Sequence, residues 1–183
     1  MFDKFGEFDS YEELNAAAEK FLKDGDINNI IALAEENGID QEDAQDYADG
    51  CIPELSTIFT AAYGRLEVQQ RVDIESKKNY VEKMPLMVIN TMLQGMCTSV
   101  EVAAAVMKKG KRIVEIYEAM KAEAIKYATA EVKKQMAADP TKKKIDVMEI
   151  CCGTDRELCN IIRTYYMGSE KDFTKSISDL YKE

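Results

Sequence analysis

The sequence predicts an all-α protein, a multi-helix bundle with an acidic N-terminal helical lobe. Three observations support this fold class. Apolar residues make up 46% of the 183-residue chain and recur mostly at helical spacing. Gly, Asn and Pro residues divide the chain into segments of helical length. Several of these segments open with a helix-capping signal, and the chain contains enough apolar residues to form a core without a metal or a disulfide.

The first 50 residues are typical of three short helices. Each starts at a Ser or Asp whose side chain can accept a backbone N–H, and each stops at a Gly. Ser10 is followed three residues later by Glu13, which is the spacing of a capping box. We therefore assign residues 1–50 to an N-terminal lobe and residues 51–183 to the main helical body. The predicted caps are Ser10, Asp26 and Asp40, and the predicted stops are Gly25, Gly38 and Gly50.

The main body carries further helix-start signals. Pro53 and Pro85 suit the first position of a helix, because the N–H that proline lacks would be unpaired there. Thr98 and Thr154 are each followed three residues later by Glu, which predicts two more capping boxes. These signals predict helices that begin near residues 53, 85, 98 and 154.

For two segments the sequence pattern is compatible with two kinds of secondary structure. Between Leu66 and Ile74 the apolar positions shift toward alternation, so a short strand is the alternative to the helix that the surrounding residues favour. Residues 145–150 form either a short β element or an irregular connection. Every other segment is predicted to be helix or loop.

Charge is distributed unevenly along the chain. Residues 1–60 contain 16 acidic and 3 basic residues, whereas residues 61–183 contain 18 acidic and 21 basic residues, for a net charge of −10. An acidic lobe attracts partners with positively charged surfaces, although a solvated face that only confers solubility has the same composition. The candidate partner-binding residues are Glu12, Glu13, Glu35, Glu36, Asp40, Glu42, Asp43 and Asp46.

Two basic clusters are candidates for direct nucleic-acid contact, because lysine and arginine neutralise phosphates. The first surrounds the Gly110 turn and the second follows Pro140. A favourable charge near a helix C-terminus and an exposed loop, respectively, are the alternative explanations. The clusters consist of Lys108, Lys109, Lys111 and Arg112, and of Lys142, Lys143 and Lys144.

The composition also argues against several function classes. The chain has no histidine, which removes the commonest catalytic base and the nucleophile pairs that depend on it. It also has no Gly-rich phosphate-binding loop. The five cysteines do not form a disulfide framework, and Cys151, Cys152 and Cys159 lack a fourth zinc ligand at suitable spacing. The calcium-like run from Asp24 to Glu35 is explained by a helix stop followed by an Asp cap. We expect no enzymatic activity, no cofactor, no metal, no membrane partner and a cytoplasmic location.

Four segments resemble a group of small proteins that phages and mobile elements of gut Firmicutes carry. That group is similar to anti-CRISPR inhibitors of the type II RNA-guided nuclease. The resemblance implies a protein that binds the guide-loaded nuclease and blocks target DNA binding or cleavage. The segments that carry it are Phe2–Ser10, Glu35–Asp40 with Glu42–Ala44, Lys108–Lys111 and Ile161–Gly168.

The charge distribution and the resemblance point to the same function. The type II nuclease holds its guide–target heteroduplex in a positively charged channel, where an acidic helical lobe could dock. We therefore expect a stoichiometric inhibitor whose partner is the type II effector nuclease with its guide RNA. The alternative is a nucleic-acid-binding accessory protein of a phage or mobile element that uses the lysine clusters.

Overall fold

A computed structural model describes residues 2–138 and 153–181 of the chain. Over these residues the protein has nine α-helices, one π-helical segment and no strand, which confirms the predicted all-α fold class. Contacts divide the chain into two compact units, Met1–Ile113 and Val114–Glu183. The predicted β element at 145–150 lies outside the described residues.

The first unit contains six α-helices: α1 (Tyr11–Lys23), α2 (Ile27–Glu36), α3 (Gln41–Ala48), α4 (Ile58–Gln69), α5 (Tyr80–Met96) and α6 (Val100–Val106). A π-helical segment, Gln70–Glu75, directly follows α4. Helix α7 (Ile113–Ala138) begins at the last residue of this unit. The second unit also contains α8 (Asp155–Met167) and α9 (Glu170–Leu180).

The three helices of the N-terminal lobe begin at the predicted caps. Ser10 accepts the backbone N–H of Glu13, Asp26 accepts that of Asn29, and Asp40 accepts that of Glu42. Capping of α2 by Asp26 agrees with the helix-stop interpretation of the calcium-like run. The Glu13 carboxylate accepts the backbone N–H of Asp9, so α1 lacks the reciprocal bond of a full capping box.

Both proline assignments were wrong. Helix α4 begins after Thr57, whose hydroxyl oxygen accepts the Thr60 N–H, and Pro53 lies in the preceding loop. Helix α5 begins at Tyr80 after an Asn79 cap, with Pro85 in its second turn. The Thr57 and Asn79 side chains accept backbone N–H groups in the first turn of their helices, and a proline side chain has no acceptor that could do so. This difference explains why the two caps, and not the prolines, set the helix starts.

The predicted cap at Thr98 was wrong by one residue. Ser99 is the N-cap of α6, and its hydroxyl oxygen accepts the Val102 N–H at 3.3 Å. The Ser99 hydroxyl also donates to the Glu101 carboxylate at 2.7 Å. The two polar residues are adjacent in the sequence, so the Ser/Thr pattern alone does not fix which one turns the chain into the helix.

This one-residue shift leads to a test of the helix start. Replacing Ser99 by Ala should cost about 1 kcal/mol of folding free energy, because it removes the cap of α6. The adjacent Thr98→Ala change should stay within about 0.5 kcal/mol of the wild type, as for other exposed positions. Urea denaturation of both variants measures the difference, and equal losses would show that Ser99 has no special role.

The segment from Leu66 to Ile74 is helical, although α-helical spacing does not continue through it. The wider turns of the π-helical segment shift the helix face that each residue occupies. As a result, Val72 is exposed while the neighbouring Asp73 and Ile74 are buried. This change of phase explains why the sequence pattern resembled the alternation of a strand.

Helix α4 lies at the centre of the first unit, where it contacts α1, α5 and α6. Its Arg65 side chain is 2% exposed, which is unusual for a cation. The guanidinium donates to the carbonyl oxygens of Met107 at 2.6 Å, Lys108 at 3.2 Å and Phe8, and lies 3.2 Å from the Glu7 carboxylate. Arg65 thereby ties the end of α6 to the N-terminal segment.

In the second unit, α8 and α9 pack against each other, and both helices start at capping boxes. Thr154 and Glu157 form the predicted box at α8, and Ser169 and Asp172 form one at α9 that the sequence analysis did not include. Hydrogen bonds from the capping residues lower the pKa of the Glu157 and Asp172 carboxyls. The ionised carboxylates therefore hold these helix starts at neutral pH.

Candidate functional site

A groove in the first unit is formed by the α2–α3 connection on one side and by α4, the π-helical segment and α5 on the other. Its floor is a backbone contact between Gly38 and Gly64. A Cβ atom on Gly64 would lie 2.3 Å from the Asn37 carbonyl oxygen, and one on Gly38 would lie 2.3 Å from the Gly64 carbonyl oxygen. Only glycine permits this approach, and Gly38 also has a φ of +69°.

The groove has a volume of about 670 Å³, a size typical of ligand sites, and its lining is largely polar. Glu35, Asp40 and Asp43 line it from α2 and α3, and Glu67 faces it from α4. The hydroxyl of Tyr63 donates to the Gln94 carbonyl oxygen at 2.9 Å and joins α4 to α5. The other polar residues of the lining are Gln41, Thr60, Gln70, Arg71 and Gln94.

Carboxylates dominate the charge on the α2–α3 side. Residues 24–64 contain ten Asp and Glu residues and no Lys or Arg. Across the part of the chain that the structure describes, none of the ion pairs involves Glu35, Glu42, Asp43 or Asp46. This surface therefore presents several negative charges that no cation of its own lobe neutralises, an arrangement that attracts a positively charged partner.

Three of the eight predicted acidic residues hold the chain's own backbone. The Glu36 carboxylate accepts the N–H groups of Lys4 at 2.8 Å and Phe5 at 3.0 Å. Asp40 caps α3, and Glu13 accepts the Asp9 N–H at 2.9 Å. These residues keep a negative charge, but replacing them would disturb the fold as well as any binding.

The other acidic residues lie at different places on the lobe. Glu35 and Asp43 face the groove, whereas Glu42 and Asp46 are exposed on α3. Glu12 is exposed on α1, where a hydrogen bond from Ser10 lowers the pKa of its carboxyl. These five residues thus divide among the groove, the exposed face of α3 and α1.

The first basic cluster contacts acidic residues of the same chain. Lys108 lies 3.3 Å from the Asp9 carboxylate, and Lys109 lies 3.5 Å from that of Glu13. The backbone N–H of Lys109 also donates to Asp9 at 3.1 Å, and this bond, followed by that from the Lys108 side chain, lowers the pKa of Asp9. These are exposed ion pairs, so each contributes little to stability.

The remaining basic residues of the two clusters differ in environment. Arg112 pairs with Asp73, whose side chain is only 7% exposed, so the charge of Arg112 is already paired within the fold. Lys111 is half-buried, and its carbonyl oxygen accepts the side-chain N–H of Gln69 at 3.1 Å. The second cluster, Lys142, Lys143 and Lys144, lies outside the described residues.

The sequence analysis missed the α4 side of the groove, namely Tyr63, Glu67 and Arg71. One signal was present, because Gly64 interrupts an otherwise helical apolar segment. An isolated glycine in a helix usually has a packing or functional reason, and here that reason is the close approach of the α2–α3 turn.

Residues 2–138 and 153–181 contain no group of three metal-ligating side chains close enough to hold an ion. Burial raises the pKa of the Cys97 thiol to about 11, which makes it a protonated core side chain at neutral pH. Within these same ranges, no helix combines the length and the apolar character that a membrane span requires. Compared with known protein families, curated proteins and solved structures, the chain gives no match.

Proposed function

We propose that this protein is an inhibitor that binds a guide-loaded type II RNA-guided nuclease and blocks target DNA binding or cleavage. The observation that carries the proposal is the α2–α3 wall of the groove, where Glu35, Asp40 and Asp43 lie within a stretch, residues 24–64, that holds ten carboxylates and no cation. The resemblance of four segments to anti-CRISPR inhibitors selects this nuclease among basic partners. Inhibition is stoichiometric, since the mechanism requires only occupancy of a surface.

The groove supports docking of a basic segment in a defined way. Glu35 and Asp43 on one wall and Glu67 on the other can each pair with a lysine or arginine that enters between them. The nuclease exposes such residues along the channel that holds its heteroduplex. The floor is a backbone contact, so both walls are already in place before the partner arrives. Arg71 lies in the same lining, against the four carboxylates of Glu35, Asp40, Asp43 and Glu67, so the groove keeps a net negative charge.

The nucleic-acid-binding alternative relies on the lysine clusters. Lys108 and Lys109 lie beside Asp9 and Glu13, which would repel phosphate from the same surface. Binding to bare duplex DNA separates the two functions. An accessory protein would bind tightly with a steep salt dependence, whereas we expect the inhibitor to bind duplex DNA weakly at most.

Charge reversal in the groove should weaken binding to the nuclease. A variant with Lys in place of three groove carboxylates, Glu35, Asp43 and Glu67, and of Asp46, one turn further along α3 from Asp43, places repulsive charges where the partner's cations enter. We expect the dissociation constant to rise by about a hundredfold, since the loss of three groove pairs at about 1 kcal/mol each costs about 3 kcal/mol. The salt dependence of the dissociation constant should also flatten. Biolayer interferometry across a salt series measures both quantities.

A matched control separates position from net charge. Reversing four exposed acids outside residues 24–64 brings the net charge to the same value of −2. We expect this control to keep most of the affinity, and melting curves of both variants check that the fold persists. Equal losses in the two variants would assign the effect to overall charge and contradict the groove as the docking site. The control residues are Glu75, Glu101, Glu118 and Glu170.

A further inference from the structure

The outer face of α5 carries an exposed apolar stripe. Five large side chains with exposures between 37% and 71% lie on its N-terminal part. Thr91 and Gly95 continue the same face toward the C-terminal end of the helix. The opposite face of α5 is buried against the first unit, so the helix is apolar on both faces. A helix with this pattern normally has both faces covered. The five side chains are Tyr80, Val81, Met84, Met87 and Val88.

The stripe contains no charged residue. The two charged side chains between Tyr80 and Gly95 lie outside it: at helical spacing Glu82 falls on the face of Leu86 and Ile89, and Lys83 on that of Leu86 and Asn90. The basic partner proposed for the acidic groove therefore has nothing to pair with on this face. An uncharged surface fits an occupant that is itself apolar and uncharged along its length.

We propose that the occupant is a second copy of this chain, with the two α5 helices packed antiparallel about a two-fold axis. The stripe runs from the large side chain of Tyr80 to Gly95, where an added Cβ meets nothing within 4 Å. An antiparallel pairing centred between Met87 and Val88 sets each Tyr80 against the open space at the partner's Gly95. The face is thus complementary to itself, as a two-fold interface requires.

The size of the stripe predicts a weak dimer. Its five large side chains expose on the order of 450 Å² per copy, taking fully exposed aromatic side chains as about 200 Å². Two copies would bury on the order of 900 Å² from these residues, which is below the range of about 1,200–2,000 Å² for stable complexes. Each copy also carries a net charge of −10, and this repulsion opposes association at low salt. Dimerisation should therefore strengthen as salt is added, opposite to the behaviour expected of the acidic groove.

Sedimentation velocity of the full chain, from micromolar to several hundred micromolar and at two salt concentrations, tests the proposal. We expect the wild type to shift from monomer to dimer mass with rising concentration, and to do so earlier at high salt. Val88→Asp places two carboxylates near the two-fold axis, and should weaken the dimer by about tenfold or more. Val100→Asp, at an exposed apolar residue on α6 outside the stripe, is the matched control and should leave the dimer unchanged.

A second variant tests the antiparallel register. Gly95→Leu adds a side chain where a single copy has open space, so the melting temperature of the monomer should not fall. In the antiparallel dimer the same side chain would collide with the partner's Tyr80, so the variant should dimerise more weakly than the wild type. A monomer at every concentration and salt would overturn the proposal, as would equal effects of Val88→Asp and Val100→Asp. These measurements use the protein alone, so their outcome does not depend on whether it inhibits a nuclease.

Discussion

Replacing Gly64 by Ala should destabilise the first unit by about 2 kcal/mol or more, although the same change in an ordinary helix stabilises by up to about 1 kcal/mol. The added methyl group would lie 2.3 Å from the Asn37 carbonyl oxygen and 2.9 Å from that of Gly38. Both atoms belong to the backbone, so no side-chain rotation relieves the contact. The α2–α3 turn and α4 must move apart, which opens the floor of the groove.

Gly95→Ala provides the matched control for this prediction. Gly95 also lies in a helix, but its added methyl group meets nothing within 4 Å, so we expect a gain of about 0.5–1 kcal/mol. Urea denaturation followed by circular dichroism measures both changes. A Gly64→Ala variant as stable as Gly95→Ala would contradict the close backbone contact on which the groove depends.

Replacing Arg65 by Met should have the other large effect, a loss of about 3 kcal/mol. Removing one partner of a buried ion pair leaves the other partner and its hydrogen-bonded groups unsatisfied. Here the groups left behind are the Glu7 carboxylate and the carbonyl oxygens of Phe8, Met107 and Lys108. Met keeps much of the side-chain volume, so the change mainly removes charge and hydrogen bonds.

The comparison for Arg65 is an exposed arginine from the same part of the chain. Arg71 follows in the π-helical segment and is exposed on the groove, so Arg71→Met should change stability by less than about 0.5 kcal/mol. Hydrogen exchange of α6 gives a second readout, because loss of Arg65 frees the end of that helix from the N-terminal segment. Normal stability and unchanged protection of α6 in Arg65→Met would show that the guanidinium is not the tie we infer.

The local signals in the sequence predicted much of the fold. Ser10, Asp26, Asp40 and Thr154 cap the helices they were expected to cap, because a cap depends on a side chain and a backbone N–H only two or three residues apart. Proline was a weaker signal, since Pro85 is tolerated inside α5 once Asn79 has set the helix start. Short-range chemistry can be deduced from sequence, but competition between neighbouring signals is harder to resolve.

Interactions between distant residues were not predictable in the same way. Arg65 binds backbone carbonyls more than 40 residues away, and nothing in the spacing around α4 indicates those partners. The acidic composition of the lobe was evident, but the use of Glu36 to hold the N-terminal segment depends on tertiary contacts. The groove combines α2 and α3 with α4 and α5, so its far wall could not be predicted from local signals within residues 1–50.

The most direct test of the proposed function is a cleavage assay with a guide-loaded type II nuclease and a matched DNA target. We expect cleavage to be suppressed as the protein is titrated, with complete inhibition near one equivalent and reduced inhibition by the groove-reversal variant. Order of addition then separates the mechanisms. Protection only when the protein precedes DNA indicates blocked target entry, and protection after DNA has bound indicates a block on nuclease-domain docking. Full cleavage at tenfold molar excess, across several type II orthologues, would contradict the account.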